Sequence, residues 1–233
     1  MTLFNINVVA DTMQSMPQFS SVAETEAGLS FWNLALTGGW LMIPLILLSV
    51  LSIYIFVERL SYIHTVAKED TNFMNKIKDY IHSGQIDSAL NLCRKSKTPY
   101  SNMIEKGITR LGRPMSDVLV AIENVGNLEV AKLEKGFSLL ATTAAGAPMI
   151  GFLGTVTGMV RAFYDMANAG NNADITLLSA GIYQALTTTV AGLIVGIIAM
   201  FAYNILVARV DGVVNTMESK SMEFMDMLNE PMK

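Results

Sequence analysis

Charged side chains are missing from three long stretches of the chain. Thr37–Val57 (TGGWLMIPLILLSVLSIYIFV) runs 21 residues without one, Leu139–Val160 runs 22 and Leu177–Ala208 runs 32. A helix needs about 20 apolar residues to cross the hydrocarbon core of a bilayer, so each run is long enough. Helices of soluble bundles keep a charged face, and these have none. The pattern predicts an all-α integral membrane protein: three transmembrane helices, with long helices extending into the cytoplasm. The divisions it suggests are an N-terminal segment over 1–36 with an interfacial helix across Phe19–Asn33, a first span over 37–57 and a helical region over 58–138. A second span over 139–163, a short link over 164–176, a third span over 177–208 and a C-terminal helix over 209–233 complete the chain.

Between the first two spans the apolar spacing is that of amphipathic helices. Ile81, Ile86, Ala89, Leu90 and Cys93 mark short helices, with Gly84 as the break between them. Arg113-Pro114 marks another start, because proline suits the beginning of a helix. From there Val118, Ile122, Val125, Leu128, Ala131, Leu133 and Phe137 recur at helical spacing. No proline intervenes before the second span, so one helix is expected to run on into the membrane. After the third span Val213, Val214, Met217, Met222, Met225 and Leu228 form a similar stripe, which predicts a second protruding rod.

Charge then gives a direction. Of 16 Lys and Arg residues, 12 lie between Arg59 and Lys135, and Arg209, Lys220 and Lys233 follow the third span. None precedes Glu58. By the positive-inside rule the segment after the first span and the C-terminal tail face the cytoplasm, and the N-terminus and the link from Tyr164 to Thr176 face out. Trp32, Trp40, Tyr164 and Tyr183 fall at the outer interface, where amphipathic rings are favoured.

The net charge of -4 and the lack of a basic cluster argue against a nucleic-acid partner. The single cysteine, Cys93, excludes an intrachain disulfide and reads as a small core residue. His64 and His82 are isolated. No phosphate-binding GxxxxGK[ST] loop occurs, so ATP is not hydrolysed by that route, and no cofactor, metal or enzyme chemistry is expected.

The second and third spans are built from small residues. Ala147, Gly151, Thr155 and Gly158 share one helical face, and Gly154 and Gly158 make a GxxxG. Ala185, Thr189, Gly192 and Gly196 do the same, with Thr188 beside them. Such faces let membrane helices approach closely, and threonine there commonly bonds its own i−4 carbonyl. The other reading is a narrow wet path, since Thr142, Thr143, Thr155, Thr157, Gln184, Thr187, Thr188 and Thr189 bring hydroxyls and an amide to membrane depth. A hydroxyl holds water but stores no proton at neutral pH, and none of the spans contains an ionisable group of the kind that marks proton relays. A proton crossing here needs an acid from another polypeptide.

AAGAPMIGFLGTVTGMVRAF and GIYQALTTTVAGLIVGI resemble the signature of the MotA/TolQ/ExbB proton-channel family, most nearly its ExbB and TolQ branch. The layout of spans, cytoplasmic insert and tail is similar over essentially the full length. The resemblance implies a pentamer in the bacterial inner membrane around a dimer of an ExbD/TolR-type single-span protein, whose membrane aspartate carries the proton. Thr155 and Thr189 match the threonines facing that aspartate. Gln184 stands where the branch commonly has glutamate, so a titrating role at that position does not carry over. The proton motive force would drive motion of the inner dimer and, through a TonB- or TolA-type protein, work at the outer membrane, with transport through outer-membrane receptors the first expectation. The alternative is a membrane scaffold of an envelope complex that conducts no ions. A solute transporter fits less well, because three spans without an internal repeat or a charged membrane site give it no binding centre.

Overall fold

The computed structural model describes residues 39–68, 70, 72–169 and 175–229, all in helices and their connections, with no strand among them. Among the described residues the helices are α1 (Met42–Val66), α2 (Phe73–His82), α3 (Ile86–Ser96), α4 (Pro99–Ile108), α5 (Met115–Leu133), α6 (Phe137–Ala169) and α7 (Ile175–Asn229). Three of them, α1, α6 and α7, are long and apolar enough to cross a membrane. The expected interfacial helix at Phe19–Asn33, and Trp32 with it, lie outside the described residues.

The connections follow local backbone chemistry. Gly84 has φ +71 between α2 and α3, a left-handed conformation that costs glycine little. At the start of α4, Pro99 occupies the first turn and the Thr98 N–H donates to Ser101 Oγ at 3.0 Å, so one of the orphan donors of the helix start is satisfied. Pro114 directly precedes α5 and takes an extended conformation that the helix then leaves.

Two expectations about the rods need correction. The helix before the second span does not run on into it: α5 stops at Leu133 and α6 starts at Phe137, with Gly136 at φ +91 between them. Glycine supplies the left-handed break that a proline search misses. The stripe on α5 also differs from the one expected. Val118, Ile122 and Leu133 are buried as predicted, but Leu128 is 62% exposed and Ala131 is exposed, while Glu129 is buried. On α7, Val213 and Met217 are buried, but Phe224 and Met227 complete the stripe and Met222 points outward. The third span and its rod do form a single helix of 55 residues, roughly 80 Å long.

The main core lies largely outside the apolar spans, reaching into them only at residues such as Ile55, Leu140 and Leu206. Phe73, Ile77, Cys93, Ile104, Ile122 and Phe224 pack where α2–α5 close against the second half of α7. Gly107 lets α4 come close: a Cβ there would lie 2.9 Å from Ile122 Cδ1. Phe73 meets Tyr100 edge to face at 5.2 Å. Arg59, just past the apolar stretch of α1, pairs with Glu58 at 2.7 Å and donates to the Lys132 carbonyl at 3.3 Å, tying α1 to the end of α5. Glu129 is held by Asn102 Nδ2 at 3.1 Å and Lys132 Nζ at 2.7 Å. A buried carboxylate is tolerated when it is bonded in this way.

Candidate intramembrane site

The small-residue faces of α6 and α7 lie against each other within one chain. A Cβ on Gly151 would be 2.9 Å from the Thr188 carbonyl oxygen and 3.1 Å from Thr189 Cα. One on Gly158 would be 2.8 Å from Ala185 Cβ, and one on Gly192 would be 2.9 Å from Gly151 Cα. Gly154 meets the Thr188 side chain. The limiting atoms are mostly backbone, so these glycines set the separation of the two helices. Ala147, Gly151, Gly154, Ala185, Thr188, Gly192 and Gly196 are buried and Gly158 is half-buried.

Two contacts in this seam escape the small-xxx-small spacing. Pro148, inside α6, fits over Gly196, where a Cβ would come within 2.6 Å of Pro148 Cγ. Gly181 extends the seam toward Ala162. The signal for the first was a proline lacking an N–H in a helix that nonetheless continues, which requires a neighbour with room for its ring.

Most of the threonines bond back into their own helices. Thr142, Thr143, Thr157 and Thr187 donate to the carbonyls four residues earlier, at 2.8 to 2.9 Å. This is the local satisfaction expected of hydroxyls in a membrane helix. Thr155 Oγ also reaches the carbonyl four residues earlier, Gly151, at 3.3 Å, but Thr155 and Thr189 make a further contact. Their hydroxyls hydrogen-bond to each other across the two helices, and Thr189 Oγ also donates to the Gly151 carbonyl at 2.9 Å. Thr188 Oγ donates to the Ala185 carbonyl at 2.7 Å, with Gly151 O at 3.5 Å.

Both hydroxyls reach the Gly151 carbonyl, so either can donate to it while the other donates to its partner hydroxyl. In both arrangements Thr155 Oγ retains acceptor capacity. Both residues are half-buried, and their neighbours Val156 and Val190 are exposed, so the pair is reachable from outside the chain. An acid approaching it would find a hydroxyl able to accept a hydrogen bond and a rearrangeable chain ending on a carbonyl. No titratable side chain belongs to the pair.

Gln184 is not part of this arrangement. It is exposed on α7, and its Nε2 is the atom a Cβ on Gly39 would meet, at 2.9 Å. Five residues along a helix turn the side chain well away from the Thr189 direction. Its neighbour is the turn that precedes α1. Among the described residues no group of three or more His, Cys, Asp or Glu side chains is placed to hold a metal ion.

Comparison with known proteins places this geometry in a group. The sequence profile of the MotA/TolQ/ExbB proton channel family matches residues 95–219, which include both faces and the threonine pair. An ExbB homolog of biopolymer transport from Methanothermobacter thermautotrophicus is 30% identical over 176 residues, 74% of this chain and 62% of that protein. The chain therefore matches less than two thirds of that relative's length. An ExbB-like biopolymer transport protein of Synechocystis is 31% identical over 186 residues, covering 74% of this chain and 69% of its own. The Tol-Pal system protein TolQ of Haemophilus influenzae is 39% identical over 87 residues, 37% of this chain and 38% of that protein.

Proposed function

The chain belongs to the MotA/TolQ/ExbB proton channel family, and from that premise we propose that it is the ring-forming subunit of an inner-membrane device that converts the proton motive force into work at the outer membrane. The observation that carries the reading is the Thr155–Thr189 pair, the place where side-chain hydroxyls join α6 to α7 at membrane depth. Apart from Arg161 near the end of the second, the spans contain no Asp, Glu, His, Lys or Arg. The proton is therefore carried by a carboxyl from a second polypeptide of the ExbD/TolR type, which exchanges hydrogen bonds with the pair as it loads and unloads.

The polypeptide's part is to hold that pair in place and to keep the wall around it narrow. Several chains, five in this reading, surround a dimer of the partner. The N-terminus lies in the periplasm, and α2–α5 with the end of α7 lie in the cytoplasm, as the distribution of Lys and Arg supports. The partner passes its motion to a TonB- or TolA-type protein, and transport through outer-membrane receptors is the first candidate for the work.

The deciding experiment is the mass and composition of the complex taken from its own membrane in mild detergent. A ring of this chain holding fewer copies of a single-span protein with a membrane aspartate is the expected result. An intact homo-oligomer with no such protein overturns the reading. It leaves the scaffold, for which the close intrachain packing of the small faces would be sufficient.

A further inference from the structure

A groove of about 650 Å³ runs between α1 and α7 beside the ends of their apolar stretches. Its polar lining is Ser61, His64, Tyr100, Arg209 and Thr216, and its floor is apolar, with Ile63 and Val213 buried beneath. No carboxylate is among the lining residues. Arg209 makes no ion pair with any described residue, whereas Arg59 at the corresponding end of α1 is paired with Glu58.

The depth of the groove selects its occupant. The charge-free stretches end at Val57 on α1 and Ala208 on α7. The lining runs from Leu60 to Ala67 on one helix and from Ala208 to Thr216 on the other. It thus begins at the hydrocarbon edge and extends roughly 10 Å beyond it, across the headgroup layer. On the membrane side the exposed apolar residues Val57 and Ile205 lead up to it. A site with a cation at the boundary, hydroxyl and ring donors below it and apolar surface above suits a molecule with an anionic head and acyl chains. Basic pockets between membrane helices recognise anionic lipid headgroups in this way.

We propose that the α1–α7 groove is a binding site for an anionic phospholipid, with Arg209 contacting the phosphate and His64, Ser61 and Thr216 contacting the rest of the headgroup. The site is separate from the threonine pair, and the inference holds whether or not the protein passes protons. An occupant would bridge α1 to α7 where the spans give way to the polar helices.

The test is native mass spectrometry of the full-length protein in mild detergent, supplied with phosphatidylglycerol, phosphatidylcholine or inorganic phosphate. Phosphatidylglycerol is expected to be retained over phosphatidylcholine, with the preference falling about fivefold in Arg209→Gln. It is expected to be kept in Arg209→Lys and in Arg161→Gln, a control at the other end of the membrane. Equal retention of the two lipids, or an unchanged preference in Arg209→Gln, overturns the proposal. Displacement of the lipid by millimolar phosphate overturns the lipid assignment in favour of a soluble anion. A photoreactive phosphatidylglycerol gives a second reading on the unmodified protein: labelling of peptides holding 60–67 or 208–216 supports the site, and labelling confined to other peptides overturns it.

Discussion

Thr155 and Thr189 hydrogen-bond to each other across α6 and α7, and both hydroxyls reach the Gly151 carbonyl, Thr189 at 2.9 Å and Thr155 at 3.3 Å. The other threonines of these spans named above settle their hydroxyls on backbone carbonyls alone, so the hydroxyl–hydroxyl contact sets this pair apart. Replacing both by alanine removes the hydrogen-bond partners offered to an incoming acid while leaving the glycine seam intact. At about 1 kcal/mol for each lost hydrogen bond, proton flux through the reconstituted complex is expected to fall at least about tenfold. The mass of the complex should stay the same. Full flux in the double variant would reduce the pair to packing.

The glycines of the seam respond differently from those outside it. A Cβ on Gly192 lies 2.5 Å from the Ala147 carbonyl oxygen and 2.9 Å from Gly151 Cα, both backbone atoms that cannot turn aside. Gly192→Ala is therefore expected to destabilise the protein by about 1–3 kcal/mol through overpacking. At Gly212 a Cβ meets nothing within 4 Å. There the same change removes a poor helix former and should raise stability by up to about 1 kcal/mol. Thermal unfolding in one detergent compares the two, and a shift of the same sign in both would contradict the geometry.

The spans were legible because charge is absent from them over whole membrane thicknesses, and that signal does not depend on which face points where. The faces of α5 and α7 were less so. Leu128 and Met222 are apolar and exposed, whereas Glu129 is charged and buried, because Asn102 and Lys132 satisfy its carboxylate. That exchange depends on Asn102 from another helix and cannot be read from one stripe. The small faces of α6 and α7 could be listed from spacing, but that they meet each other in one chain is a fact of tertiary packing. Gln184 shows the same limit. Its motif position groups it with Thr189, yet its helical angle sets it beside Gly39.

Gly136 makes the end of α5 and the start of α6 separable. Its φ of +91 is a conformation side chains rarely adopt, and a Cβ there would lie 3.2 Å from Ile55 Cγ2. Gly136→Ala should cost about 1 kcal/mol or more. Chemical denaturation of the purified protein measures it. An unchanged midpoint would mean that the junction readily becomes continuous helix, as the sequence pattern first suggested.

Cys93 is buried completely, and burial, with the nearby Glu105 charge adding to it, pushes its thiol from 9.0 up to about 12. The thiolate is the reactive form, so alkylation of the folded protein near pH 8 should be far slower than in denaturant. The linkage has a definite sign. The folded state holds the proton more tightly than the unfolded state, so this contribution is complete below pH 9 and is lost as pH rises from 9 toward about 12. Cys93→Ala should show a shallower fall in stability over that alkaline range. Rapid native labelling would contradict the burial.

Gln184 separates the members of the sequence-matched site by function. It is exposed beside the turn at Gly39, on a different side of α7 from the threonine pair. If the pair alone receives the partner's acid, Gln184→Ala removes an amide from the edge of α1 and touches no hydrogen bond of the pair. Flux in the reconstituted complex should then stay within about twofold, the range of a peripheral change. Thr155→Ala measured in the same preparation should lose more. A loss in Gln184→Ala equal to that in Thr155→Ala, with the complex intact, would extend the path outward along α7. The amide would then belong to the route that the proton's carrier follows before it reaches the hydroxyls.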